Sequence, residues 1–87
     1  MFEQEVTVKN KTGLHARPAS DFVKLANSFK SSIMIHFKEK KLNGKSMLNV
    51  LGAGISCGSQ IKLTAEGADE ADAIAALVDL IENKLTE

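Results

Sequence analysis

Ile61-Lys62-Leu63-Thr64-Ala65-Glu66-Gly67-Ala68-Asp69-Glu70-Ala71-Asp72-Ala73-Ile74 changes its hydrophobic period part-way along. Up to Glu66 the apolar residues fall on every second position, as in a strand with one covered face. Beyond Gly67 they fall three or four apart, and Ile74, Leu77, Val78, Ile81 and Leu85 make one stripe of a helix predicted from Asp69 to Leu85. Asp69 stands where a cap is expected, and Glu70 and Asp72 suit the positive end of the helix dipole. A one-sided strand followed by a one-sided helix calls for two layers, each covering the other's apolar side.

The same reading extends toward the N-terminus. Gly52, Gly54 and Gly58 mark a loop, and Gly44-Lys45-Ser46 opens a short helical piece through Met47, Leu48, Val50 and Leu51. Ile33, Ile35 and Phe37 alternate with Met34 and His36 as a strand. The charged turn Lys38-Glu39-Lys40 joins it to a brief segment, Lys41-Leu42-Asn43, able to pair with it. From Ala16 to Phe29 the spacing is helical, with Ala19, Phe22, Val23, Ala26 and Phe29 on one face. Phe2, Gln4, Val6 and Val8 share one side of a first strand, which Asn10-Lys11-Thr12-Gly13 breaks. The order is βαββαβα. It predicts an α+β open-faced sandwich of two layers, with a four-stranded antiparallel sheet covered on one face by helices. At 87 residues the chain suits a single domain, 1–87.

Composition narrows the function classes. Eleven basic residues balance eleven acidic ones, whereas a nucleic-acid binder carries a basic surplus. No apolar run approaches the ~20 residues of a membrane-spanning helix, and the acidic opening Met1-Phe2-Glu3-Gln4-Glu5 does not resemble a secretory leader. Cys57 is the only cysteine; it has no partner in the chain for a disulfide, as suits a reducing compartment. His15, His36 and Cys57 have no metal-ligand spacing. Gly52-Ala53-Gly54 lacks the lysine-serine of a nucleotide loop. The expectation is a cytoplasmic monomer without metal or cofactor.

Chemistry concentrates in Gly13-Leu14-His15-Ala16-Arg17-Pro18, where the first strand gives way to the first helix. Proline is tolerated only in a helix's first turn. If Pro18 is the first helical residue, Arg17 is the cap; if it is the third, His15 is. Either way His15 stands at a helix N-terminus, where backbone N–H groups lie outside the helical ladder and the dipole attracts anions, phosphate above all. Imidazole is a nucleophile when neutral and a leaving group when protonated, and its ordinary pKa of about 6.5 gives both forms in a cell. Arg17 supplies a guanidinium suited to phosphate oxygens, and Thr12 and Gly13 let the chain approach closely. As a bare pattern the cluster also fits an ordinary cap.

Gly13-Leu14-His15-Ala16-Arg17-Pro18-Ala19 resembles the active-site signature of the HPr family, the histidine-containing phosphocarriers of the bacterial sugar phosphotransferase system. The likeness runs through the chain: its length, the element order, Lys45-Ser46, and Glu66-Gly67-Ala68-Asp69-Glu70 before the last helix. The resemblance implies that Enzyme I, charged by phosphoenolpyruvate, phosphorylates His15 on Nδ1, and that Enzyme IIA components then take the group. Arg17 would balance the incoming charge, the amides of Ala16 and Arg17 would hold phosphoryl oxygens, and Thr12 completes the expected phosphate-binding set. The product is a carrier rather than an enzyme. HPr-like regulators that lack the histidine are the alternative within the same resemblance, and His15 stands against them.

Ser46 precedes a short apolar helix, where a hydroxyl is a common N-cap. The stretch Gly44-Lys45-Ser46-Met47-Leu48 also resembles the site modified by HPr kinase, which implies regulatory phosphorylation and a catabolite-control regulator as partner. Asn49, where glycine is usual, and Leu51-Gly52-Ala53-Gly54 depart from that pattern. Met47, Leu48 and Leu51 cannot all face inward on so short a helix, so an exposed docking patch is expected there. Ser20, Lys24 and Lys45 are further candidates for contact with acidic partners. His36 and Cys57 read as surface residues.

Overall fold

A computed structural model describes residues 1–85, so the expected domain 1–87 ends on two residues outside the described ones. The elements follow the expected order: β1 (Phe2–Thr7), α1 (Ala16–Asn27), β2 (Ser32–Phe37), β3 (Lys40–Asn43), α2 (Met47–Gly52), β4 (Gln60–Glu66) and α3 (Glu70–Asp79), which runs on into a single π turn, Leu80–Lys84. The sheet order is β1-β4-β2-β3, antiparallel throughout.

Register explains why the alternation was readable. Gln4 pairs with Leu63, Leu63 with Ile35 and Ile35 with Leu42, giving one row on the covered face. One position along, Glu5, Lys62, His36 and Lys41 form a row on the opposite face, left to solvent. The helices bury Ala19, Phe22 and Ala26 of α1, Val50 of α2, and Ala73, Ile74 and Leu77 of α3 against the covered face. Truncating a fully buried residue such as Phe22 would cost about 3–5 kcal/mol.

Two helix ends and one side chain's exposure differ from expectation. Helix α1 stops at Asn27 rather than Phe29: the chain tightens there, with Ser28 N donating to Leu25 O at 3.0 Å and Phe29 N to Ala26 O at 3.3 Å, and Ser28 Oγ also donates to Leu25 O at 2.6 Å. Helix α3 widens after Asp79, and Leu85 N donates to Leu80 O at 3.0 Å. Phe2, on the apolar side of β1 by pattern, is 41% exposed: β1 is an edge strand, and Phe2 lines an open recess beside Ile74, Ala75 and Val78 of α3.

Asp69 occupies the capping position of α3 but makes no side-chain cap. Its carboxylate reaches across the fold instead, accepting from Lys30 N and Ser31 N at 2.9 Å each and from the Ser31 hydroxyl. Those donors stabilise the ionised form and lower its pKa to about 2, with the Ser31 hydroxyl the largest cause. Gly67 serves the same junction, since a Cβ there would fall 2.6 Å from Ser31 Oγ. The result ties the start of α3 to the turn between α1 and β2.

Candidate functional site

His15 is the N-cap of α1, which places Pro18 at the third helical position and decides between the two readings of the sequence. Its backbone is extended, at φ −100 and ψ 162, and its side chain is exposed. The first bond of the helix runs from Ala19 N to His15 O at 3.2 Å. As the first two amides of the helix, those of Ala16 and Arg17 lie ahead of the helical ladder, and Pro18 in the third position has no N–H to place there. The His15 side chain makes no capping bond, and no acidic residue occupies the first turn. Ala16 has φ +29, outside the range favoured by L-residues, a conformation worth roughly 1–3 kcal/mol of strain that the surroundings must hold in place.

What holds it is the loop ahead. Gly13 takes φ +62, and a Cβ there would lie 2.3 Å from Ile55 O and 2.6 Å from Ser56 Cα. Leu14, buried, donates its N–H to Ile55 O at 2.9 Å. The loop after α2 thus serves as the floor of the His15 loop. Asn10, read from the sequence only as a strand breaker, is buried and donates from Nδ2 to Gly13 O at 2.7 Å. Sequence reasoning missed both Asn10 and the Ile55 contact. The signal for the first was present, an asparagine three residues ahead of a glycine; the second joins positions too far apart in sequence for local pattern to show.

The other candidates divide. Arg17 is exposed on the first turn of α1, two residues past His15, and Thr12 is exposed in the turn before it. Ser20 is half-buried and Lys24 exposed, spaced four apart on α1 and so on one side of it. Ser46 caps α2, its Oγ accepting from Asn49 N at 3.3 Å and Asn49 Nδ2 at 3.0 Å. Leu48 is 84% exposed and Leu51 38%, whereas Met47 is half-buried against the core. The expected apolar patch therefore consists mainly of Leu48 and Leu51. Lys45 has a structural occupation, its ammonium donating to Phe29 O just past α1 at 2.8 Å, while Asn27 Nδ2 donates to Lys45 O at 3.1 Å.

His36 lies half-buried on the uncovered sheet face, Nε2 3.2 Å from Thr64 Oγ1. Cys57 is exposed, its Sγ 3.5 Å from Lys9 O. Among the described residues, no three of His, Cys, Asp or Glu come together as a metal group, and no helix is long and apolar enough to cross a membrane. An exposed imidazole beside main-chain donors and a guanidinium can accept a transferable anion and leave it open to a partner.

The model of the family described as the PTS HPr component phosphorylation site matches residues 2–83. Among curated relatives, the HPr-like protein Crh of Halalkalibacterium halodurans is 48% identical over 84 residues, covering 97% of this chain and 100% of the relative. Phosphocarrier protein HPr of Neisseria meningitidis is 40% identical over 81 residues, covering 93% and 91%. HPr-C-His from Thermoanaerobacter tengcongensis superposes with a TM-score of 0.94 at 52% identity, covering 97% of this chain and 94% of that one. HPr of that organism has also been solved as a dimer, TM-score 0.79 with both chains fully covered, so the likeness gives the expected monomer no support. With a family match over nearly its whole length and relatives this similar, the chain belongs to the HPr family of phosphocarrier proteins of the phosphotransferase system.

Proposed function

We propose that this chain is a phosphotransferase-system carrier that accepts a phosphoryl group on His15 from Enzyme I and delivers it to Enzyme IIA components in the cytoplasm, residues 1–87 acting as one unit. The observation that carries the reading is the exposed imidazole at the cap of α1 with Arg17 two residues on. The neutral Nδ1 lone pair attacks phosphorus; the N–P bond forms as the bond to the donor breaks, and that electron pair leaves with the donor. Such transfers need alignment and charge stabilisation more than covalent help. Arg17 and the dipole of α1 supply positive potential beside the new dianion. Protonation of the other ring nitrogen makes the imidazole a good leaving group for the onward step. An exposed site lets the group go again.

Incubation with Enzyme I and phosphoenolpyruvate should add one phosphoryl group to the intact mass, and His15→Ala should abolish the gain. Equal labelling of that variant refutes the site.

A second reading is favoured by the 48% identity to an HPr-like protein Crh: a regulatory module modified at Ser46 by HPr kinase/phosphorylase and read by a catabolite-control regulator. A phosphate on Ser46 would add about −1.5 to −2 charges at the positive end of α2 beside exposed Leu48. The presence of His15 favours the carrier, and both uses can coexist in one chain. Kinase treatment with ATP separates them: modification at Ser46 with no transfer through His15 leaves only the regulator.

A further inference from the structure

We propose that Asn10 is a positioning residue for the phosphoryl acceptor, an inference that rests on the carrier reading of His15. Asn10 is polar yet buried, five residues ahead of His15. Its main-chain carbonyl accepts from Gly13 N at 3.1 Å, and its side-chain Nδ2 donates to Gly13 O at 2.7 Å. One residue therefore grips both polar ends of Gly13. The next group along, Leu14 N–H, donates to Ile55 O at 2.9 Å. Three consecutive main-chain groups leading into His15 thus have fixed partners, and only the Gly13 carbonyl is held by a side chain.

That carbonyl and the Leu14 N–H belong to the same peptide plane, gripped from one side by Asn10 and from the other by Ile55. Gly13 is buried, so a carbonyl released there loses its partner without gaining bulk water. The plane would turn to seek a donor, and the rotation passes directly into Leu14 and His15. Nothing nearby can absorb it cheaply. The Ile55 carbonyl leaves no room beside Gly13, and Ala16 already sits at φ +29. In-line transfer depends on reacting atoms held within a few tenths of an ångström, and a displacement of about 1 Å costs on the order of 100-fold in rate.

The test compares wild type, Asn10→Ala and Asn10→Asp as full chains, with Enzyme I and phosphoenolpyruvate, the rate expressed per folded molecule. The expected result for Asn10→Ala is a fall in kcat of about 10- to 100-fold with KM for the carrier unchanged, since exposed Leu48 and Leu51 are untouched. A purely structural role would lower the melting temperature and leave kcat per folded molecule alone. In Asn10→Asp an ionised carboxylate cannot donate to Gly13 O, whereas the protonated acid can. Its rate relative to wild type should therefore recover as pH falls through the titration of the new carboxyl, while the Asn10→Ala ratio stays flat. Wild-type kcat in folded Asn10→Ala, or a change confined to KM, overturns the proposal. Should Asn10→Ala fail to fold, absence of acid recovery in Asn10→Asp overturns it. If wild type itself takes no phosphoryl group from Enzyme I, it is the carrier reading that fails, and this proposal falls with it.

Discussion

Helices α1 and α2 begin in opposite ways. At α2 the Ser46 hydroxyl accepts from Asn49 N and Asn49 Nδ2, so the helix start is closed by a neighbouring side chain. At α1 the cap position holds an imidazole that makes no capping bond, followed by Ala16 in a left-handed conformation. A serine, aspartate or asparagine in place of His15 would serve the helix better by a few tenths to about 1 kcal/mol. Local stability has been set aside at the start of α1 and kept at the start of α2. An end closed by its own side chain has less to offer an anion, and an end kept open must be braced from outside, here by Asn10, Gly13 and Ile55. Helix α3 is a third variant, its cap-position Asp69 spent on the turn between α1 and β2.

Breaking the brace should have the largest effect. Gly13→Ala places a Cβ against Ile55 O and Ser56 Cα at a positive φ, and is expected to cost roughly 2–4 kcal/mol, visible as a lower urea midpoint, with loss of transfer through His15. Next comes the tie at Asp69. Its folded pKa of about 2 lies below the ordinary carboxylate value, so its stabilisation is complete above about pH 4 and is lost as pH falls toward 2. Asp69→Asn should flatten the pH dependence of stability in that window, as measured by thermal melts at pH 2, 3, 4 and 6; an unchanged acid profile would show that the tie does not contribute. Removing the closed cap with Ser46→Ala should cost about 1 kcal/mol without altering transfer through His15. The smallest change sharpens the contrast most: His15→Asp should stabilise α1 by a few tenths to about 1 kcal/mol while abolishing transfer. A destabilised His15→Asp would mean the imidazole already served the helix.

The layers of the fold were legible because they rest on short-range periodicity. Ile33, Ile35 and Phe37, or Ile74, Leu77 and Ile81, announce their faces within a few residues. His15 and Arg17 were legible as a pair because a proline confines the helix start, although Pro18 alone could not say which residue is the cap. The lead-in to that cap is held through Leu14 by Ile55, far along the chain, and no local window contains that bond. Asp69 was assigned a cap by the same local logic and does something else, because Lys30 and Ser31 become its neighbours only once α1 and β2 have packed. The interior role of Asn10 stayed hidden since polarity and a nearby glycine indicate a turn equally well whether the side chain faces water or the core.

The uncovered face of the sheet has a consequence for crowded conditions. Its row Glu5–Lys62–His36–Lys41 mixes signs across all four strands, so stacking a second sheet upon it would strip water from several ions at once. That discourages aggregation without a covering layer. Exchanging Lys62 and Glu5 together for valine would join Met34 into an apolar strip, and turbidity on storage should then appear before any loss of fold.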